Sequence, residues 1–260
     1  MDQALVSERA TRRHALAKIE SLIKQAPSHH IEVPELKAAS IRHFPLSLEE
    51  GTQDQPCFSE PYQGKLPPPE KEDKFLELTP DPNNITWNTR DLEYFLCDHF
   101  NDCCYDQWGA CPDNLPPSGQ YREMGDYRFG QLLECITFNW EAIAVTDYQD
   151  GKYPHFKAMV ASEAMGDDRL LRGEIMTITD IMAARLRTKS LRPHIVAPIL
   201  VFSLVGLCHA RVLEADFDGE MLNIRSSKLY DFTKKNTDAV KLLTRYWFGG
   251  ARGQTMMKPT

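Results

Sequence analysis

Residues Ile195 to Arg225 read IVAPILVFSLVGLCHARVLEADFDGEMLNIR. Ile195 to Val205 is a nearly continuous apolar run rich in β-branched residues, bounded by Pro193 and Gly206. Such a run predicts a buried strand. Val212 to Phe217 and Glu220 to Arg225 predict two more strands, joined by Asp218-Gly219. A two-residue Asp-Gly connection favours a type I′ hairpin, because both central residues need positive φ. Three strands in a row, the last two antiparallel, set the fold class.

Upstream, Leu171, Ile175, Ile178, Met182 and Leu186 recur at spacings of three and four. This predicts a helix over 168–188, with Asp167 as its N-cap. Ala142 to Tyr148 and Phe156 to Ala161 read as strands joined through the turn residues Asp150-Gly151,. Phe129 to Trp140 is compatible with helix or strand. Downstream, Val240, Leu243 and Trp247 form the inner stripe of a helix from Asn236 to Phe248, ended by Gly249-Gly250,. The resulting expectation is an α+β domain over 91–260, with a mostly antiparallel sheet and packed helices.

Two segments precede that domain. Residues 1–25 predict an N-terminal amphipathic helix, with Leu16, Ile19, Leu22 and Ile23 near one face,. Residues 26–90 hold ten of the 17 prolines, including Pro67-Pro68-Pro69. Proline removes backbone donors, so this segment predicts an extended arm that wraps the domain. Phe44, Leu46, Phe58, Phe75 and Leu76 give the arm apolar anchors. A further helix is expected from Asn88 to Asn101, with Leu92, Phe95, Leu96 and Phe100 inward. A loop marked by Pro112, Pro116, Pro117 and Gly119 follows it.

The chain has 260 residues, 42% of them hydrophobic, and a formal net charge of −7. These values exclude a collagen-like or wholly disordered protein. Ile195 to Leu207 is interrupted by Pro198 and is too short to span a bilayer, so no membrane partner is expected,. The charge is unevenly placed: residues 1–130 sum to −9 and residues 131–260 to +2. Such asymmetry suits a second half that faces a polyanion, and equally an acidic extension on a near-neutral globule. The seven cysteines and an N-terminus without a charged, then apolar, leader predict reduced thiols and a cytoplasmic location,.

No phosphate loop, dinucleotide fingerprint, zinc-protease helix or nucleophile elbow occurs,. Cys97, His99, Cys103, Cys104 and Cys111 lie close together, yet no C-x₂-C pair is present, and no metal is expected,. The densest polar set is Ser203, Cys208, His209, Arg211, Glu214, Asp216 and Asp218. His209 suits an acid/base and Ser203 or Cys208 a nucleophile. Glu214 and Asp216 share a strand face and suit a cationic substrate group. They equally suit a solvated sheet face. Arg185, Arg187, Lys189, Arg192 and His194 form one basic stretch. Arg225, Lys228, Lys234 and Lys235 form another, and either suits phosphates or a helix C-terminus,.

The strings PILVFS from Pro198, HARVLEADFDG from His209, RSSKLYDF from Arg225 and RYW from Arg245 resemble a widespread set of filamentous-fungal proteins. The likeness covers Leu170 to Gly250. Through that set the chain is similar to the fungal arginine-containing cyclodipeptide synthases. The resemblance implies a transferase of secondary metabolism that uses aminoacyl-tRNA, without cofactor, to build a diketopiperazine containing arginine. On that reading His209, Glu214 and Ser203 are catalytic. Asp216, Asp218, Arg211 and Tyr230 bind substrate, and Arg185, Arg187, Lys189, Arg192 and Lys228 meet tRNA. The serine-bearing motif of bacterial cyclodipeptide synthases has no counterpart in this sequence. The alternatives are a non-catalytic interaction module and a degenerate nuclease-like domain.

Overall fold

The computed structural model describes residues 3–66, 81–104, 124, 127–147 and 153–257. The Pro67-Pro69 run, Phe75, Leu76, Cys111, the 112–119 loop and the Asp150-Gly151 turn lie outside these residues. The chain begins with α1 (Gln3–Lys24), β1 (His30–Ile31), α2 (Val33–Ala38), β2 (Ile41–Pro45) and β3 (Ser59–Glu60). Then come α3 (Ile85–Cys104), β4 (Leu133–Glu134), β5 (Trp140–Asp147), β6 (Phe156–Ser162), β7 (Leu170–Leu171) and α4 (Arg172–Arg187). The last third holds β8 (Ile199–Val205), β9 (His209–Phe217), β10 (Leu222–Ser226), β11 (Tyr230–Asp231), α5 (Thr237–Trp247) and β12 (Gly250–Ala251).

The chain is α+β, and its main sheet is mixed: five of its strand pairings are antiparallel, as expected, and two are parallel. Seven strands run in the order β2-β10-β9-β8-β6-β5-β4, with β11 on β9. β6 and β8 are parallel, as are β10 and β2. Parallel neighbours need a crossover, and α4 supplies it between β6 and β8. Every residue of β6 and β8 is buried, because helices cover both faces of the sheet. That double burial is why both strands read as unbroken apolar runs.

Each face carries its own core. On one side α1 and α4 lie over Val160, Ile199, Val201, Leu213, Ala215 and Ile224. On the other, α3 and α5 lie over Met159, Leu200, Phe202, Ala210 and Val212. There Phe100 stacks on Trp247 at 5.3 Å, and Phe202 meets the same indole edge-on at 5.2 Å.

Local chemistry corrects three boundaries. The fourth helix starts at Arg172 because Leu170 and Leu171 are taken by pairing with Ile31 and His30. Glu174, not Asp167, covers the helix start by accepting the Leu171 N–H at 2.8 Å. The β9–β10 connection is not type I′: Gly219 has φ +115°, and Asp218 is absent from the positive-φ residues. The Asp218 carboxylate instead accepts the N–H groups of Glu220 and Met221. β8 is shorter than its apolar run, because Ile195 and Val196 donate to Thr255 O.

The described parts of the 26–90 segment are built into the fold. β2 forms an edge of the main sheet, and β3 pairs with β12. α3 runs across residue 90, so the structure has no break at that point.

A buried ion pair ties the α4 layer to the sheet. Arg211 Nη2 lies 2.7 Å from Glu174 Oε2, and both side chains are 1% exposed. Removing one partner strands the other charge in the interior, at a cost of about 3–5 kcal/mol. Glu174→Ala is therefore expected to destabilise the protein by about that amount in chemical denaturation. A joint Arg211→Met, Glu174→Leu replacement should recover most of the loss. Equal losses in both variants would contradict the account.

Candidate functional site

Strand alternation divides the residues expected to share a site. Along β9, Glu214 and Asp216 follow Ala210 and Val212 toward α3 and α5,. His209 and Arg211 follow Leu213 and Ala215 toward α1 and α4. Ser203 sits opposite Arg211 on that second face, fully buried, with no hydrogen-bond partner for its hydroxyl among the described residues. His209 and Glu214 thus lie on opposite sides of the sheet.

Several of these groups hold structure together. Glu214 accepts the backbone N–H groups of Cys57 and Phe58, stapling the arm to the sheet. Burial pushes its carboxyl up, while those donors and Ser59 pull it back. Asp216 takes Arg225 Nη1 at 2.7 Å and Asn223 Nδ2 at 3.2 Å. Asp218 organises its own turn. His209 bonds Leu207 O through Nδ1 at 2.8 Å. Cys208 is no ready nucleophile, because burial pushes its thiol up to about 11,.

The structure assembles a different group of polar residues. A cavity of about 500 Å³ is lined by His43, Asp167, Asp168, Arg211, Ser226 and Lys228, among others. It opens beside the loop that leaves the carboxyl end of β6 and enters α4. Open α/β sheets place ligands at this end of their parallel strands. Two expected residues, Arg211 and Lys228, line it, and Tyr230 lies next to it with its ring 5.6 Å from Lys228 Nζ.

Its central contact is a hydrogen bond of 2.7 Å between Ser226 Oγ and His43 Nε2. The pair is made by parallel strands: Ile224 of β10 lies opposite His43 of β2, which sets Ser226 one step along the same face. Burial pulls the imidazole below its ordinary range, and Arg211 adds to this, against Glu174 and Asp168. A neutral imidazole can take the hydroxyl proton.

Most charges around the cavity are already matched. Arg211 is held by Glu174 and donates to Asp167 O and Arg169 O. Lys228 meets Glu49 at 2.8 Å. Burial raises the Asp167 carboxyl, but its bonds to Arg169 outweigh this and hold it low. Asp168 makes no hydrogen bond or close ion pair among the described residues and is exposed. One carboxylate is thus free to meet a cation.

The basic residues also separate. Arg185 is buried, bonded to Asp147, Tyr153 O and Pro154 O, and is not available to phosphate. Arg187, the last residue of α4, and Lys189 and Arg192 just after it are exposed. Lys228 sits at the cavity near the other end.

Sequence reasoning passed over His43, Ser226 and Asp168. Ser226 lies in the Arg225-Ser226-Ser227-Lys228 string. His43 has no local signal, because a contact across 183 positions brings it in. Among the described residues no group of three or more His, Cys, Asp or Glu is placed to hold a metal ion. Among them also, no helix is long and apolar enough to cross a membrane. No family model, curated protein or solved structure matches the chain.

Glu214→Ala removes the acceptor of two arm N–H groups. Limited proteolysis is expected to cut near residues 56–60 much faster than in the parent protein. An unchanged cleavage pattern would show that the β3–β12 pairing holds the arm without Glu214.

Proposed function

We propose that the protein is an acyl-transfer enzyme that takes aminoacyl groups, arginine among them, from aminoacyl-tRNA and joins two of them into a cyclic dipeptide. The observation that carries this reading is the Ser226–His43 hydrogen bond inside a polar cavity with one free carboxylate. The chemistry then lies at His43 and Ser226 rather than at His209, Glu214 and Ser203.

Neutral His43 accepts the Ser226 proton as Oγ attacks the ester carbonyl. The bond to the ribose oxygen breaks, and that oxygen leaves with the proton from His43. The amine of a second aminoacyl ester then attacks the Ser226 ester. Its proton passes through His43 to Oγ, which restores the serine. Attack of the first amine on the remaining ester closes the ring; the second tRNA's ribose oxygen leaves and takes up the proton the amine loses. Asp168 meets the guanidinium or ammonium of the substrate. The ester is already activated, so the lack of a phosphate loop is no obstacle.

The test is product formation from arginyl-tRNA and a second aminoacyl-tRNA, read by mass spectrometry and by its sensitivity to ribonuclease. Ser226→Ala and His43→Asn should each reduce the rate by about 100-fold or more, while His209→Ala retains it. The rate should also fall as pH drops through the His43 pKa, which lies below the ordinary histidine range, because protonated His43 cannot take the hydroxyl proton. Soluble, folded protein that yields no cyclic dipeptide would favour the interaction-module alternative.

A further inference from the structure

Two aromatic side chains of α3 face solvent. Trp87 is 64% exposed and Tyr94 70%, the two most exposed aromatic residues among the described ones. They stand two turns apart on one side of the helix,. Leu92, Leu96, Phe100 and Cys103 fill the opposite side and are buried. The core therefore takes its apolar surface from that side and leaves the two rings outside. Asp91 and Asp98 share the outer side with them and are also exposed. Trp87, Asp91, Tyr94 and Asp98, at spacings of four, three and four, alternate ring and carboxylate down one stripe,. A solvated helix face has a use for the carboxylates but none for the rings.

A cavity of about 700 Å³ opens beside the stripe, walled by Tyr127, Phe129, Leu132, Leu133 and Ile143. Leu133 is exposed and the other four are half-buried. Arg90, one turn from both Trp87 and Tyr94, lines the same cavity and joins it to the stripe,. The guanidinium offers no spare charge, because Glu93 and Glu141 both accept from it. Asp91, Glu93, Asp98, Asp102 and Glu141 thus set five carboxylates against one arginine.

We propose that this surface docks a basic peptide segment of a partner protein, with an apolar side chain seated in the cavity and lysine or arginine on the stripe. A cation over the face of a tryptophan or tyrosine is attracted by the ring quadrupole. The carboxylate one turn away matches its charge. An apolar anchor in a pocket, edged by aromatic contacts, is where binding energy concentrates in protein interfaces. The surplus of carboxylates selects a basic partner and turns away an acidic one. From residue 87 to residue 98 the stripe is about 16 Å long, the reach of about five residues of extended chain. β4 and β5 lie at the edge of the sheet opposite β2. The surface is therefore remote from the Ser226–His43 pair and does not depend on the acyl-transfer reading.

The experiment selects a random peptide library, displayed on phage, against the immobilised full chain, with the Trp87→Ser, Tyr94→Ser variant as counter-target. Both substitutions lie on the solvent side and leave the circular dichroism spectrum and the denaturation midpoint unchanged. Enriched peptides should combine lysine or arginine residues with a leucine or an aromatic residue. A synthetic, fluorescein-labelled representative should bind the full chain with an affinity that falls as salt rises. Each ring contact contributes about two- to fivefold, so the double variant should bind about 5- to 25-fold more weakly. Leu133→Ser, which removes an apolar wall of the cavity, should weaken binding by about threefold or more. Neutral or acidic peptides, no enrichment over the counter-target, or an unchanged affinity in either variant would overturn the inference. So would self-association of the full chain, seen by sedimentation and lost in the double variant, because the occupant would then be a second copy.

Discussion

The Arg211–Glu174 pair is the contact on which the rest of the architecture turns. It joins β9 in the middle of the sheet to the first turn of α4. The same guanidinium donates to the carbonyls of Asp167 and Arg169, fixing the loop between β6 and α4. That loop forms one wall of the cavity and presents Asp168. A pair desolvated to this extent contributes little net stability compared with apolar packing. Its value is geometric, since it fixes where the crossover helix begins and how the loop before it is turned.

Much of the fold was legible because the strands and helices carry strong local patterns. The 195–225 stretch, the 168–188 periodicity and the 236–248 stripe each gave an element of the right type. The antiparallel β9–β10 pairing was legible, but the two parallel pairings were not. β6 and β8 are buried on both faces, so neither shows the alternation that reveals an exposed side,. β2 joins β10 from the proline-rich arm, and no local feature of Ile41–Pro45 announces a parallel partner 181 positions away. Asp218-Gly219 misled because the Asp218 carboxylate makes its own turn with Glu220 and Met221.

The candidate site was less legible for a related reason. His209, Arg211, Glu214 and Asp216 are neighbours in sequence, but the two-residue period of β9 sends them to opposite faces. Polar density along a strand therefore marked two sets of structural contacts: Glu214 with the arm, and Arg211 with Glu174. The cavity residues come from β2, the β6–α4 loop, β9, β10 and the β10–β11 connection, places that only folding unites. α4 then gives the molecule two chemically distinct ends. One carries the loop, the free carboxylate and the Ser226–His43 pair. The other is closed by Arg9, which donates to the carbonyls of Leu186, Thr188, Leu191 and His194.

The most direct test of this account is covalent labelling with an alkyl fluorophosphonate, which reacts selectively with a hydroxyl activated by a base. Oγ–phosphorus bond formation with loss of fluoride leaves a mass adduct that peptide mapping can place. The account predicts a single adduct on Ser226 that disappears when His43 is replaced. An adduct on Ser203, or none on folded protein at neutral pH, would contradict it.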